Sequence, residues 1–209
     1  MMLLWAVVTS YLMGSIPTAY LFGKYYKGID IRKFGSGNVG ATNAIRVLGK
    51  KPGVMVLLID IIKGIIPLTI VGDIFALEGV FFRILLGVAV VVGHNWTIFL
   101  QFKGGKGIAT SFGVLIGLTL KFAMLRPVLL MGVFSWAVVF LAFGYVSLAS
   151  IFASTLLPIL MLLTDQSFEL IMLGVIFCVF VVVRHRPNIK RLLAGKEPHV
   201  SFPFQKNKK

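Results

Sequence analysis

The stretch GVMVLLIDIIKGIIPLTIVG, Gly53 to Gly72, decides the fold. Its 20 residues make a helix about 30 Å long, the thickness of a bilayer's hydrocarbon core. The only charges in it are Asp60 and Lys63, three apart and so on one helical face. An ionisable pair inside a membrane is costly and marks either function or a lock between helices. The sequence leaves both readings open.

Working outward, six further apolar segments run over roughly 2–23, 78–94, 107–120, 127–144, 146–163 and 167–183. The one at 107–120 is short for a full span and has to extend or be buried among its neighbours. The chain is 58% hydrophobic and only 13% charged, where a soluble domain carries about 25% charged residues. These features predict an all-α integral membrane protein with about seven transmembrane helices, a single polytopic membrane domain over 1–209. The first segment lacks the basic start and small-residue cleavage site of a signal peptide. A single cysteine, Cys178, excludes an intramolecular disulfide and multi-cysteine metal sites, and reads as apolar packing.

The net charge of +14 invites a nucleic-acid reading, but the distribution of the 21 Lys and Arg argues against it. Seven crossings put Lys24, Lys27, Arg32, Lys33, Arg46, Lys50, Lys51, Lys103, Lys106 and the basic tail from Arg184 to Lys209 on one side. Lys121, Arg126, Asp73, Glu78, Asp165 and Glu169 fall on the other. By the positive-inside tendency the N-terminus is outside and the C-terminus cytoplasmic. The basic charge is topological and membrane-facing, and no nucleic acid is expected as a partner. The sequon at Asn95 then faces the cytoplasm and goes unglycosylated.

Three polar segments share that cytoplasmic side: 34–46 (FGSGNVGATNAIR), 93–110 (GHNWTIFLQFKGGKGIAT) and 184–197 (RHRPNIKRLLAGKE). In the first, Gly35 and Gly37 permit positive φ, so that backbone N–H groups can turn toward one point. Ser36, Asn38, Thr42 and Asn43 add neutral donors, and Arg46 adds a planar fork for phosphate. Read alone, the run is equally a Gly-rich turn that caps a helix near Ala41. In the second, Lys103 and Lys106 flank Gly104 and Gly105, and a helix starting near Gly107 would aim its N–H groups at an anion. Ordinary positive-inside charge is the alternative. Walker A is excluded, because Gly107 follows Lys106 where Ser or Thr belongs.

In the third segment, Asn188, Lys190, Arg191, Lys196 and Glu197 lie close together, and a lipid-bound basic helix is the alternative. Glu197 can orient an Arg or Lys, and His185 sits beside Arg186. Ser147 falls at a tight turn on the same side, where it is either a site hydroxyl or a turn residue. No nucleophile–base pair is present: Ile98 and Ile189 stand four residues after His94 and His185, where the soluble acyltransferase pattern needs Asp. The residues thus describe an oxyanion site, serving a lipid-precursor enzyme or an organic-anion transporter. The enzyme is favoured by the absence of an internal repeat and by polar groups at the interface rather than mid-membrane.

These three segments, in this order and together with DIIKG at Asp60–Gly64, resemble the acyl-phosphate-dependent glycerol-3-phosphate acyltransferases of bacteria, the PlsY family. The resemblance covers essentially the whole chain. It implies acyl transfer from acyl-phosphate to the 1-position of glycerol 3-phosphate, giving lysophosphatidic acid, the first acylation of phospholipid synthesis. No cofactor or metal is implied, and a functional link to the enzyme that makes acyl-phosphate is. The site would lie on the cytoplasmic face of the bacterial inner membrane. By matching positions, Ser36, Asn38, Thr42, Asn43, Arg46, Lys106, His185 and Asn188 serve phosphate binding and catalysis, with Ser147 alongside. Gly35, Gly37, Gly104 and Gly105 supply backbone N–H groups, while Glu197 and Arg191 order the third motif.

Overall fold

A computed structural model describes residues 1–200. Of the basic tail, Lys206, Lys208 and Lys209 lie outside the described residues. All regular structure in the described residues is helical, as lipid demands of a chain that must satisfy its own backbone. The helices fall into two compact units, Met1–Leu125 and a second that begins at Arg126.

In the first unit, α1 (Met2–Ser15) stops at Ile16, which Pro17 pushes out of the helical region, and α2 (Thr18–Lys27) resumes at once. Gly28, at φ 63°, ends α2 in the left-handed conformation. A short helix α3 (Ala41–Leu48) turns at Gly49 (φ 102°) into α4 (Lys50–Ile66). From Pro67 to Val71 the helix widens into a π turn before ending at Ile74. Then come α5 (Val80–Asn95) and α6 (Ile108–Lys121).

Small residues set two close crossings, as expected where lipid removes the hydrophobic drive between helices. A side chain at Gly14 would strike the Val90 backbone, and one at Gly93 the Tyr11 carbonyl, so α1 lies directly on α5. Gly64 and Gly113 face each other in the same way between α4 and α6. At the end away from the polar loops, buried Arg83 donates to the π-turn carbonyls of Leu68 and Thr69, and pairs with Asp73 at 2.6 Å. Lys121 joins Asp73 at 2.6 Å.

In the second unit, α7 (Arg126–Phe143) ends at Gly144 and α8 (Val146–Leu163) follows. Gly174 of α9 (Phe168–Arg184) packs on Pro158 of α8. Pro187 cannot continue α9, because its ring would collide with a carbonyl four residues back. The chain bends by 61° into α10 (Arg186–Leu193).

Each of the seven apolar segments is therefore helical. Among the described residues, five stretches are long and apolar enough to cross a membrane alone: Met2–Lys27, Lys50–Ile74, Val80–Leu100, Ala123–Phe143 and Val146–Leu163. The bent α9–α10 pair can make a sixth, and α6, with 14 residues, is shorter than a full span.

Candidate active site

The Gly-rich loop before α3 is organised by Asn43. Its amide oxygen accepts the Ser36 N–H at 2.9 Å. Its amide nitrogen donates to the carbonyls of Phe34 (3.1 Å) and Asn38 (3.0 Å), and lies 3.4 Å from that of Ile31. Gly35 and Gly37 have φ of 60° and 71°, and a Cβ on Gly35 would collide with the Asn43 amide. Asn43 is 1% exposed, and its amide bonds order the loop from within. What the loop presents outward is Ser36, Thr42 and Arg46. Arg46 makes no hydrogen bond or ion pair with the described residues. Beside these side chains lie the N–H groups that open α3, with no side-chain cap over them.

The second motif folds back on the end of α5. The N–H groups of Gly104 and Gly105 donate to the carbonyls of Asn95 (3.2 Å) and His94 (3.0 Å). Neither glycine has room for a side chain: Gly104 abuts those carbonyls and Gly105 abuts the His94 ring. Thr97 ties the turn to the Ser15 carbonyl at 2.5 Å, and the Tyr11 hydroxyl donates to the Trp96 carbonyl at 2.9 Å. Gln101 and Phe102 adopt left-handed backbone, at φ 54° and 60°, an uncommon conformation for such residues. Gly107, at φ 80°, starts α6, and half-buried Lys106 stands at that start.

Motifs one and two are brought together. Val39, Ala44, Leu48 and Leu100 share one apolar cluster with Ala19, Ile31 and Val56. Val39, Lys63, His94, Gly104 and Gly105 line one polar cavity of about 10 Å³, room for a single water. An apolar groove of about 330 Å³, formed by Ile16, Pro17, Tyr20, Leu21, Phe99 and Leu100, shares Ile16 and Pro17 with that cavity.

The third motif is assembled within the second unit around Glu197. Its carboxylate accepts from Ser147 (2.7 Å), Asn188 (2.6 Å) and Arg191 (2.8 Å). Burial pushes this carboxyl up, but the three donors outweigh burial and hold it below the ordinary glutamate range. Glu197 and Ser147 are thereby tied to each other. His185 is 3% exposed, and its Nδ1 donates to the Val181 carbonyl at 2.8 Å. In the neutral ring that leaves Nε2 as the acceptor.

Three participants were not legible as such. Thr18 and the Ile16 carbonyl reach the Asp60–Lys63 pair from another helix, and only the Pro17 break signals a carbonyl there. Asn95, noticed in the sequence only as a sequon, is fully buried with both amide atoms unpartnered beside Gly107.

Residues 4–195 match the family described as glycerol-3-phosphate acyltransferase. The chain is 44% identical over 196 residues to glycerol-3-phosphate acyltransferase 2 of Moorella thermoacetica, covering 94% of this chain and 96% of that protein. It is 43% identical over 199 residues to glycerol-3-phosphate acyltransferase of Fusobacterium nucleatum, covering 94% and 97%. Its fold is similar to the crystal structure of PlsY (YgiH), an integral membrane glycerol 3-phosphate acyltransferase, in the glycerol 3-phosphate form. The TM-score is 0.85 at 38% identity, with 95% of this chain and 96% of that one covered. The lysophosphatidic acid form gives 0.82 at the same identity.

Proposed function

The chain belongs to the glycerol-3-phosphate acyltransferase (PlsY) family and is an integral membrane acyltransferase, and from that premise we propose its donor, regiochemistry and site. The donor is acyl-phosphate, the acceptor is the sn-1 hydroxyl of glycerol 3-phosphate, and the products are lysophosphatidic acid and inorganic phosphate. The site faces the cytoplasm from the bacterial inner membrane, with the N-terminus outside after seven crossings. An enzyme that makes acyl-phosphate supplies the donor.

The observation that carries this reading is the outward face of the Asn43-ordered loop. Ser36, Thr42 and Arg46 stand exposed beside the opening of α3, next to the glycine-rich turn that carries Lys106. Both substrates carry phosphate, and oriented N–H groups with cations suit charge that develops on phosphate and carbonyl oxygens. The hydroxyl oxygen attacks the acyl carbonyl carbon, and the bond from that carbon to the phosphate oxygen breaks. Phosphate leaves with the electron pair and takes up the hydroxyl proton. An acyl-phosphate is a mixed anhydride with a good leaving group, so a protein nucleophile is unnecessary. Holding two reactants together supplies about 7–11 kcal/mol in favourable cases. Within the second unit, His185 and Asn188 are proposed as phosphate-binding groups. The apolar groove at Ile16–Leu21 and Phe99–Leu100 suits the acyl chain, because it adjoins the polar cavity.

The test is turnover of palmitoyl-phosphate and labelled glycerol 3-phosphate by the purified protein in lipid vesicles, with mapping of the acylated position. The sn-1 product is expected, with one phosphate released per acyl transferred. Arg46→Ala should lose at least about a hundredfold in kcat/KM while keeping its melting temperature. An sn-2 product overturns the regiochemistry, and near-native turnover by Arg46→Ala removes the loop from the site.

A further inference from the structure

A buried polar cluster between α2, α4 and α5 is not used in the chemistry above. Asp60 is 1% exposed, Lys63 5% and His94 7%. Asp60 accepts a 2.9 Å bond from the Thr18 hydroxyl and pairs with Lys63 at 2.7 Å. Lys63 also donates, at 3.0 Å, to the Ile16 carbonyl exposed by the break between α1 and α2. The same oxygen, Asp60 Oδ1, lies 3.8 Å from the Nδ1 of His94. The opposite edge of the imidazole rests on Gly105, where any Cβ would collide with Nε2. The backbone carbonyl of His94 accepts the Gly105 N–H.

A continuous line of contacts therefore runs from the α1–α2 break through Lys63 and Asp60 to His94, and from both ends of His94 to the turn before Lys106. A lock between helices needs only the ion pair's bonds to Thr18 and the Ile16 carbonyl. It does not explain why the imidazole is seated between the carboxylate and a glycine that has no space for a side chain. We propose that Asp60 and Lys63 are positioning residues that fix the His94 ring, and that His94 sets the place of the Gly104–Lys106 turn. The inference rests on the reading of that turn as a phosphate-binding element.

The experiment measures KM and kcat for palmitoyl-phosphate and glycerol 3-phosphate, with melting temperature, for the full chain in lipid. Asp60→Asn/Lys63→Met removes both charges together and leaves no unpaired charge buried. The expected result is a native-like melting temperature with KM for at least one phosphate substrate raised roughly ten- to a hundredfold, and kcat changed less. A double variant with native KM values for both substrates overturns the proposal and leaves the pair as a helix lock. Should it fail to fold, His94→Asn and His94→Leu decide. Asn keeps a donor where Nδ1 stood and should recover most of the lost affinity, and equal KM values in the two overturn the proposal. Lys106→Ala is measured beside them. A raised KM there with no effect of the others sinks the positioning role alone, whereas native KM values in Lys106→Ala sink the phosphate reading and the proposal with it.

Discussion

The side chain of Asn43 turns inward, onto the loop that precedes it. The sequence showed a short polar donor among glycines, which a phosphate site and a self-organised turn use equally well. Residue type tells what a group can bond, not which backbone groups the fold will set in front of it. Arg46, by contrast, stands exposed on the last turn of α3, where its guanidinium is open to an anion. Glu197 poses the same contrast, and its three donors lead to a prediction. Since the folded carboxyl is held below the ordinary glutamate range, its ionised form contributes stability that is present above that range. The contribution is lost as pH falls through the still lower folded value. Hydrogen-exchange protection of 184–197, corrected for intrinsic rates, should therefore decline toward acid pH in the native protein. In Glu197→Gln the decline should be absent, and an unchanged profile would show that the carboxylate does not hold the motif.

Among elements, the helices were legible because lipid permits little else to a 20-residue apolar run. Their irregularities were less so. Pro17, Pro67 and Pro187 are visible as breakers, but each acts differently: a short break, a π turn that continues, and a 61° bend. At two of these sites a distant side chain bonds a carbonyl at the irregularity, Arg83 at Leu68 and Lys63 at Ile16, a partner that no local pattern announces. The role of single glycines was equally hidden, since contact across helices depends on pairing that no local pattern reveals. Gly64 and Gly113 illustrate it. Gly64→Val should destabilise by about 1–3 kcal/mol through the α4–α6 crossing. Gly132→Ala, with nothing within 4 Å of the added Cβ, should leave the melting temperature unchanged or raise it. Thermal unfolding in detergent compares them, and equal effects would refute the close-crossing account.

For the whole molecule, the lopsided distribution of 21 basic and 7 acidic residues carries the sidedness argument. Asp73 and Lys121, assigned to one side by counting crossings, are in contact at 2.6 Å. The number of crossings was less legible, because α6 is too short to be judged without its neighbours. The proposed orientation predicts labelling by a membrane-impermeant maleimide, in a protein with Cys178→Ser. Lys103→Cys should react in inverted vesicles and stay unreactive in right-side-out ones, and Glu78→Cys should do the reverse. The opposite pattern would invert the topology.

The most direct measurement of the central claim is the choice of donor. Purified protein in lipid vesicles is given labelled glycerol 3-phosphate with either palmitoyl-phosphate or palmitoyl-CoA. The proposed site, which holds two phosphates and uses no nucleophile–base pair, predicts lysophosphatidic acid from palmitoyl-phosphate alone. Equal or faster product formation from palmitoyl-CoA would contradict it.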